Sequence, residues 1–162
     1  MKKYLLYKRE KNYDLIADNI DIKTHKLKNG LFLLFEKHSF KMFILRLYFL
    51  IISFGRAKIY YVIIDNELAH FSFVFGKCIK FPFLNNEDIC IGPCFTKEKF
   101  RGKGIYKSVL CYINKLNTKG NNYIFVSVDN KASISGIEKS GFAKIGYVKR
   151  TVFKNFKLIR GR

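Results

Sequence analysis

Proline is almost missing from this chain of 162 residues: only Pro82 and Pro93 occur, and no glycine- or serine-rich stretch separates one part from another. An extended hinge region is excluded, no internal repeat is visible, and one domain over 1–162 is expected. The four cysteines, Cys78, Cys90, Cys94 and Cys111, form no C-x-x-C pair, and the three histidines are scattered. A zinc site has no support, no metal is expected, and the cysteines are expected to be buried thiols. The opening MKKYLLYKREKNYD is not expected to act as a secretory leader, because its apolar stretch is two leucines long and meets charge at once. A reducing, cytoplasmic setting is the expectation.

Acidic residues are also scarce, 12 against 31 lysines and arginines, for a net charge of +19. Such an excess attracts something anionic: nucleic acid, an acidic membrane face or a phosphorylated small molecule. Much of the lysine is equally consistent with plain solvated surface. No acidic residue follows Glu138 while eight basic ones do, so the C-terminal end should form a positive face.

What the chain has in quantity is apolar and aromatic surface, 49% and 17% of its residues. It is too apolar to be disordered, and a single fold of this length buries roughly 70% of the surface its unfolded chain exposes. The run Met42 to Phe54, MFILRLYFLIISF, is shorter than the ~20 residues needed to cross a bilayer. It reads as a buried core element. The alternative is a peripheral contact through 42–54 at the inner face of a membrane. Lys41, Arg46, Arg56 and Lys58 would then meet anionic headgroups, and Phe43, Phe49 and Phe54 would sit in the acyl boundary.

The patterning predicts a strand over Lys3–Lys8, loop with short helical pieces over 11–30, and one or two helices within 31–54. From Ala57 it sharpens. AKIYYVIID and LAHFSFVFG flank Asp65-Asn66 as a hairpin, with Ala69, Phe71, Phe73 and Phe75 on one face and His70, Ser72 and Val74 on the other. DICIGPCFT is a third strand whose ladder Gly92-Pro93 must interrupt, so a bulge or splay is expected there. Residues 104–117 predict an amphipathic helix with Ile105, Val109, Tyr112 and Leu116 inward and Lys107, Asn114 and Lys115 outside the stripe. A strand follows with Ile124, Val126 and Val128 on one side. A short helix over Lys131–Ser140 then stops at Gly141, and two strands, 142–150 and 151–159, close the chain.

The most chemical passage runs from the interrupted strand through FTKEKF into RGKGIY and directly into the helix. Two glycines let the backbone approach a ligand, and the amides at a helix start, with Arg101 and Lys103 beside them, suit phosphate oxygens. No Gly-Lys-Ser/Thr ends the loop, and the third glycine and downstream acid of a dinucleotide fingerprint are absent. Arg101, Gly102, Lys103, Gly104 and Ile105 do resemble the acyl-CoA signature of the GNAT superfamily, with Tyr106 where a small residue is usual. NKASISGIEKSGF resembles a second motif of that family, carried by Asn130, Ser133, Glu138, Lys139, Gly141 and Phe142. The resemblance covers about 57–155, leaving 1–56 as a poorly determined N-terminal part. IGPCFTKEKFRGKGIY also looks like small GNAT members associated with surface-polysaccharide biosynthesis.

The resemblance implies an α/β (α+β) fold: a mixed, mostly antiparallel central sheet flanked by helices and splayed near the acyl-CoA site. It implies an N-acyltransferase that moves an acetyl group from acetyl-CoA to an amine, including an amino sugar, by direct transfer in a ternary complex. The donor pyrophosphate would lie on the amides from Gly102 to Tyr106, its pantetheine arm along Cys94, Phe95 and Thr96, and its thiol end near Asn130. The candidate bases are Asp88, with Glu87 beside it, and His70. The tyrosine that protonates the departing thiolate in many relatives is replaced by Ile137, leaving Ser133, Ser135 or water. The competing reading is a noncatalytic nucleic-acid-binding module that stacks bases on its 17 phenylalanines and 10 tyrosines. Strand-like alternation of the aromatics and the lack of an RNA-binding motif speak against it.

Overall fold

A computed structural model of the chain describes residues 3–9, 20–26, 40–150 and 156–159. The elements are β1 (Lys3–Arg9), β2 (Lys23–Lys26), α1 (Phe40–Ile52), β3 (Lys58–Ile64), β4 (Glu67–Phe75), β5 (Ile89–Thr96), α2 (Ile105–Leu116), β6 (Asn122–Ser127), α3 (Lys131–Glu138), β7 (Phe142–Arg150) and β8 (Phe156–Ile159). They build one sheet in the order β2-β3-β4-β5-β6-β1-β7-β8. Every neighbouring pair is antiparallel except β5 and β6. This is the mixed, mostly antiparallel, helix-flanked sheet that the resemblance implies. The helices and loops expected within 11–19 and 27–39, and the start of the last strand at 151–155, lie outside the described residues.

The β3–β4 hairpin turns on Asp65 and Asn66, both at positive φ (50° and 57°), the backbone that a two-residue hairpin of matching twist requires. Its register shifts between Val62 and Ile63, which leaves Ala69 without an opposite residue. That bulge turns Ala69 to the face of Tyr60 and Val62, away from Phe71, Phe73 and Phe75, with which simple alternation had placed it. The remaining alternation holds.

The sheet separates two apolar clusters. On one side α2 and α3 pack Ile105, Val109, Leu110, Ile113 and Ile137 onto Val74, Ile91, Ile124 and Val126. On the other, Phe49 of α1 lies edge-on to Phe73 and Phe75, with ring centroids 4.8 and 4.9 Å away. Each buried phenylalanine contributes about 1.5–3 kcal/mol, and edge-to-face contact adds about 0.5–1.5 kcal/mol. Phe71, Phe73, Phe75 and Phe81 are thus committed to core and withdrawn from base stacking.

Several expectations need correction. β2 falls where loop was expected: KTHK has no apolar alternation because it forms a mostly exposed, charged edge whose pairing is supplied by β3. Phe49 is buried in the core, so it does not face an acyl boundary, whereas Phe54 is exposed; the side chains of Lys41, Phe43 and Arg46 lie outside the described residues. No described helix is long and apolar enough to cross a membrane. Asn114 is buried, accepting from Asn122 Nδ2 (2.9 Å), while Leu116 and Val128 are exposed at element ends. Cys90 and Cys111 are buried, but Cys78 and Cys94 are only half-buried.

The loop before β6 packs directly on the turn before β5. A Cβ on Gly120 would lie 1.8 Å from the Glu87 carbonyl oxygen and 2.2 Å from its carbon, both backbone atoms with no rotamer to yield. Gly120→Ala is expected to destabilise the fold by about 1–3 kcal/mol or more, read as a lowered midpoint in urea denaturation. An unchanged midpoint would contradict this packing.

Candidate functional site

β5 and β6 pair in parallel for three residues only: Ile89 with Asn122, Cys90 with Tyr123 and Ile91 with Ile124. Beyond them the chain meets Gly92, at φ 124°, and the cis Gly92–Pro93 peptide. Proline offers no amide hydrogen to a ladder, and β5 carries one extra residue against β4 between Ile91 and Cys94. The two strands part there. On its other edge β5 keeps its pairing, with Cys94 opposite Ser72, Phe95 opposite Phe71 and Thr96 opposite His70. The edge of Cys94, Phe95 and Thr96 that faces β6 therefore has no strand paired with it, although the Thr96 carbonyl accepts from Arg101 Nε (3.2 Å).

Into this gap points the start of α2. Gly102 and Gly104 take positive φ (76° and 75°), so the loop reverses sharply, and Gly104 caps the helix without a side-chain hydrogen bond. The first-turn amides keep their hydrogens for a ligand, and the helix dipole favours an anion there. Facing them, α3 begins at Asn130, whose Oδ1 accepts from the Ser133 amide (3.1 Å).

Together these pieces enclose a cavity of about 570 Å³. Cys94, Phe95, Thr96, Arg101, Gly102, Lys103, Gly104, Ile105, Tyr106 and Asn130 all line it, so the sequence-predicted donor residues share one wall system. Four cations, Arg101, Lys103, Lys107 and Lys139, line it as well, with no carboxylate among the described lining residues. Lys97 and Lys99 take no part, because both pair with Glu67. The sequence did not single out Phe100, Lys107 or Gly136. A Cβ on Gly136 would come within 2.9 Å of the Tyr106 ring, so this glycine makes room for that tyrosine. A second cavity of about 370 Å³ opens through the parted strands toward the α1 face and shares Cys94, Tyr106, Asn130 and Ser133 with the first. Its wall includes Tyr4, Phe49, Lys80 and Phe125, none of them foreseen as site residues. The only signal for Phe125 is that it alternates with Ile124 and Val126 on β6.

Behind the junction runs a polar ladder. His70 Nδ1 meets Thr96 Oγ1 at 2.7 Å and its Nε2 meets Ser72 Oγ at 2.8 Å, one ring nitrogen donating and the other accepting. Ser72 and Tyr106 in turn hydrogen-bond the Cys94 thiol. Burial pushes that thiol up to about 11, although both hydrogen bonds pull it back. Burial, with Cys94 beside it, also holds the Tyr106 phenol well above its ordinary value. Both stay protonated at neutral pH: Cys94 is a poor nucleophile there, and Tyr106 remains a proton donor.

The three expected bases do not reach this junction. His70 is wholly buried with both nitrogens engaged, and burial lowers its pKa to about 4. Asp88 lies at the opposite end of β5, roughly 20 Å from Cys94 at the ordinary strand rise. It accepts from the Asn85 amide (2.9 Å), the Asn121 amide (2.8 Å) and Asn121 Nδ2 (3.0 Å). Burial pushes its carboxyl up, but these bonds and the nearby Lys8 charge outweigh it and leave the pKa below the ordinary value. Asp88 thus ties the turn before β5 to the loop before β6. Glu87 is exposed beside it and lines neither cavity. No group of described histidine, cysteine or acidic residues is arranged to hold a metal.

Two measurements check these assignments. The unfolded His70 imidazole protonates near 6.5 and the folded one only near 4, so between those values the unfolded chain binds the extra proton. Stability from this residue is full above about pH 6.5 and falls by about 3 kcal/mol as pH drops through about 4. Proton NMR should show the His70 ring neutral at pH 5.5, and a ring that titrates near 6.5 would overturn its burial. Asp88→Asn is expected to cost roughly 1–3 kcal/mol in denaturant unfolding, since its new amide hydrogens face donors. Ligand affinity of the folded variant at the glycine-lined cavity should not change.

No family model matches the sequence, and no curated protein matches it. Solved structures do. A GNAT-family acetyltransferase from Colwellia psychrerythraea superposes with a TM-score of 0.66 at 16% identity, over 91% of this chain and 54% of that one. A tandem GNAT protein from the clavulanic acid biosynthesis pathway gives 0.60 at 14%, over 88% and 50%. A conserved protein of unknown function from Staphylococcus epidermidis gives 0.60 at 11%, over 90% and 59%. The chain thus spans between half and three fifths of the length of these three structures. What they share with it is architecture, and that architecture is the GNAT fold.

Proposed function

We propose that this chain is an acyl-CoA-dependent N-acyltransferase that moves an acetyl group from acetyl-CoA to an amine by direct transfer, with an amino sugar as acceptor. The observation that carries the reading is the coincidence of three features in one cavity: a helix start at Gly104 with no side-chain cap, four cations, and a strand edge at Cys94–Thr96 that no strand pairs. A diphosphate needs the first two, and a pantetheine arm, with its amides, needs the third. The GNAT fold of the chain supports it, and so do the names of two of the superposed proteins.

Acetyl-CoA as substrate would bring an activated acyl carbonyl to the junction of the two cavities. The chain's own residues do the rest. The amides at the start of α2 and the charges of Arg101 and Lys103 hold the phosphates. The free edge of β5 aligns the arm and offers a backbone amide to the carbonyl oxygen. Ile137 is core and has no proton to give, whereas the Tyr106 hydroxyl stands at the junction, stays protonated, and can supply one to the departing sulfur. Most of the rate would come from positioning two reactants in one cleft.

Isothermal titration of the chain with CoA tests the donor site. Binding is expected, weakening as salt rises because ion pairing contributes to it. Gly104→Glu, which places a carboxylate among the amides, should weaken it more than about tenfold, which is about 1.4 kcal/mol. Failure of the native chain to bind CoA would remove the reading.

A further inference from the structure

The polar ladder behind the junction admits more than one ordering of its hydrogens, and the ordering decides what Tyr106 can do. Thr96, His70, Ser72, Cys94 and Tyr106 follow one another through four contacts: Thr96 Oγ1 to His70 Nδ1 (2.7 Å), His70 Nε2 to Ser72 Oγ (2.8 Å), Ser72 to Cys94, and Cys94 to Tyr106. Register explains the succession, since His70 and Ser72 on β4 stand opposite Thr96 and Cys94 on β5. The Tyr106 ring lies over the same patch, its centroid 5.8 Å from that of His70, with Gly136 making room for it.

Each of the five groups, when neutral, carries one hydrogen that it can donate, so the four contacts use four hydrogens and leave one. The imidazole does not hold the spare, because its single N–H already points at a neighbour. Ser72 is wholly buried, and an unused hydroxyl hydrogen there would be an unsatisfied donor. Thr96, Cys94 and Tyr106 remain, and the His70 tautomer sorts them. With the hydrogen on Nδ1, the ring donates to Thr96 and accepts from Ser72. Cys94 must then donate to Ser72 and Tyr106 to Cys94, which consumes the phenol hydrogen and leaves the spare at Thr96. With the hydrogen on Nε2, Thr96 donates to the ring and the ring to Ser72, so the spare lies at Cys94 or Tyr106.

The surroundings select the second ordering. Arg101 Nε donates to the Thr96 carbonyl (3.2 Å) and so sets a cation beside Thr96, whose hydroxyl turns its lone pairs toward that charge and its hydrogen toward His70. Of the two groups left, the phenol is the stronger donor. Its hydrogen serves water or a ligand at the junction, while the thiol donates to the phenol oxygen. We propose that His70 is a positioning residue for acyl transfer: held as its Nε2–H tautomer, it points every donor from Thr96 toward Tyr106, so that the Tyr106 hydrogen faces the junction. The proposal rests on the acyl-CoA reading and deepens it. The amine nitrogen bonds to the acyl carbon, and the C–S bond breaks with its electron pair on sulfur. Sulfur takes the Tyr106 hydrogen, the phenolate regains one from water, and the nitrogen releases one to water.

Long-range nitrogen–proton NMR of the full native chain, labelled with nitrogen-15 in its histidines, reads the tautomer without any variant; His70→Gln serves only to identify the signals. An Nε2–H ring is expected near neutral pH, and an Nδ1–H ring overturns the proposal. Raman spectroscopy reads the other end of the ladder. The Cys94 S–H band, assigned by its loss in Cys94→Ala, should rise in frequency in Tyr106→Phe, where the oxygen that accepts from the thiol is gone. An unmoved band means that the thiol does not donate to Tyr106, which also overturns the proposal. Ser72 lines neither cavity, so Ser72→Ala should keep the KM for acetyl-CoA within about twofold while kcat with glucosamine falls by at least about tenfold. A kcat like that of the native chain, or CoA binding by a native chain that releases no thiol, would remove the positioning role and leave the donor site standing. Absence of CoA binding would overturn the acyl-CoA reading and the role with it.

Discussion

The parting of two parallel strands after a three-residue ladder is the constraint on which the site depends. Ile91 and Ile124 are the last pair held by backbone hydrogen bonds, and Gly92 and Pro93 follow at once. A peptide unit that cannot donate, next to a glycine at positive φ, makes continued pairing unfavourable on that edge while β4 still holds the other. Both cavities and two helix starts gather around the opening. Cavities on its two sides meet there, α2 starts there, and Asn130 caps α3 there.

Holding such an opening requires its walls to be rigid. The ladder from Thr96 through His70, Ser72 and Cys94 to Tyr106 supplies part of that rigidity, because each member has a buried polar partner whose loss would leave an unsatisfied group. His70 is thus a strut between β4 and β5. Gly136 serves the same end by absence, since the space above it is filled by the Tyr106 ring. Charge is arranged with equal economy: Glu67 takes up Lys97 and Lys99, and the cations left at the cavity surround the helix start.

Much of this was legible in the sequence because it is local. Asp65-Asn66 between two β-branched runs fixes a hairpin, Gly92-Pro93 announces a broken ladder, and RGKGIY opens a helix on glycine. The residues gathered around the first cavity come from two short stretches, 94–107 and 130–139. What was not legible depends on partners distant in the chain. A carboxylate at a strand start looks like a base until Asn85 and Asn121 are seen to surround it. A strand histidine looks poised until its neighbours close both nitrogens. Ala69 changes face because a bulge, invisible in the spacing, intervenes. Asn114 reads as surface until Asn122 pairs with it inside. The aromatic wall of the second cavity is assembled from β1, α1 and β6, and no window of sequence contains it.

The position of β1 carries a consequence for how the molecule is made. That strand lies between β6 and β7, and Tyr7 donates to Glu138, 131 positions along the chain. A ribosome releases residues 3–9 long before either neighbour exists, so this apolar strand must wait with both edges bare until the rest has emerged. Closing so long a loop before any contact rewards it makes assembly slow. The cleft wall formed by β6 has β5 on one flank and β1 on the other, so its second flank is a strand that was made more than a hundred residues earlier.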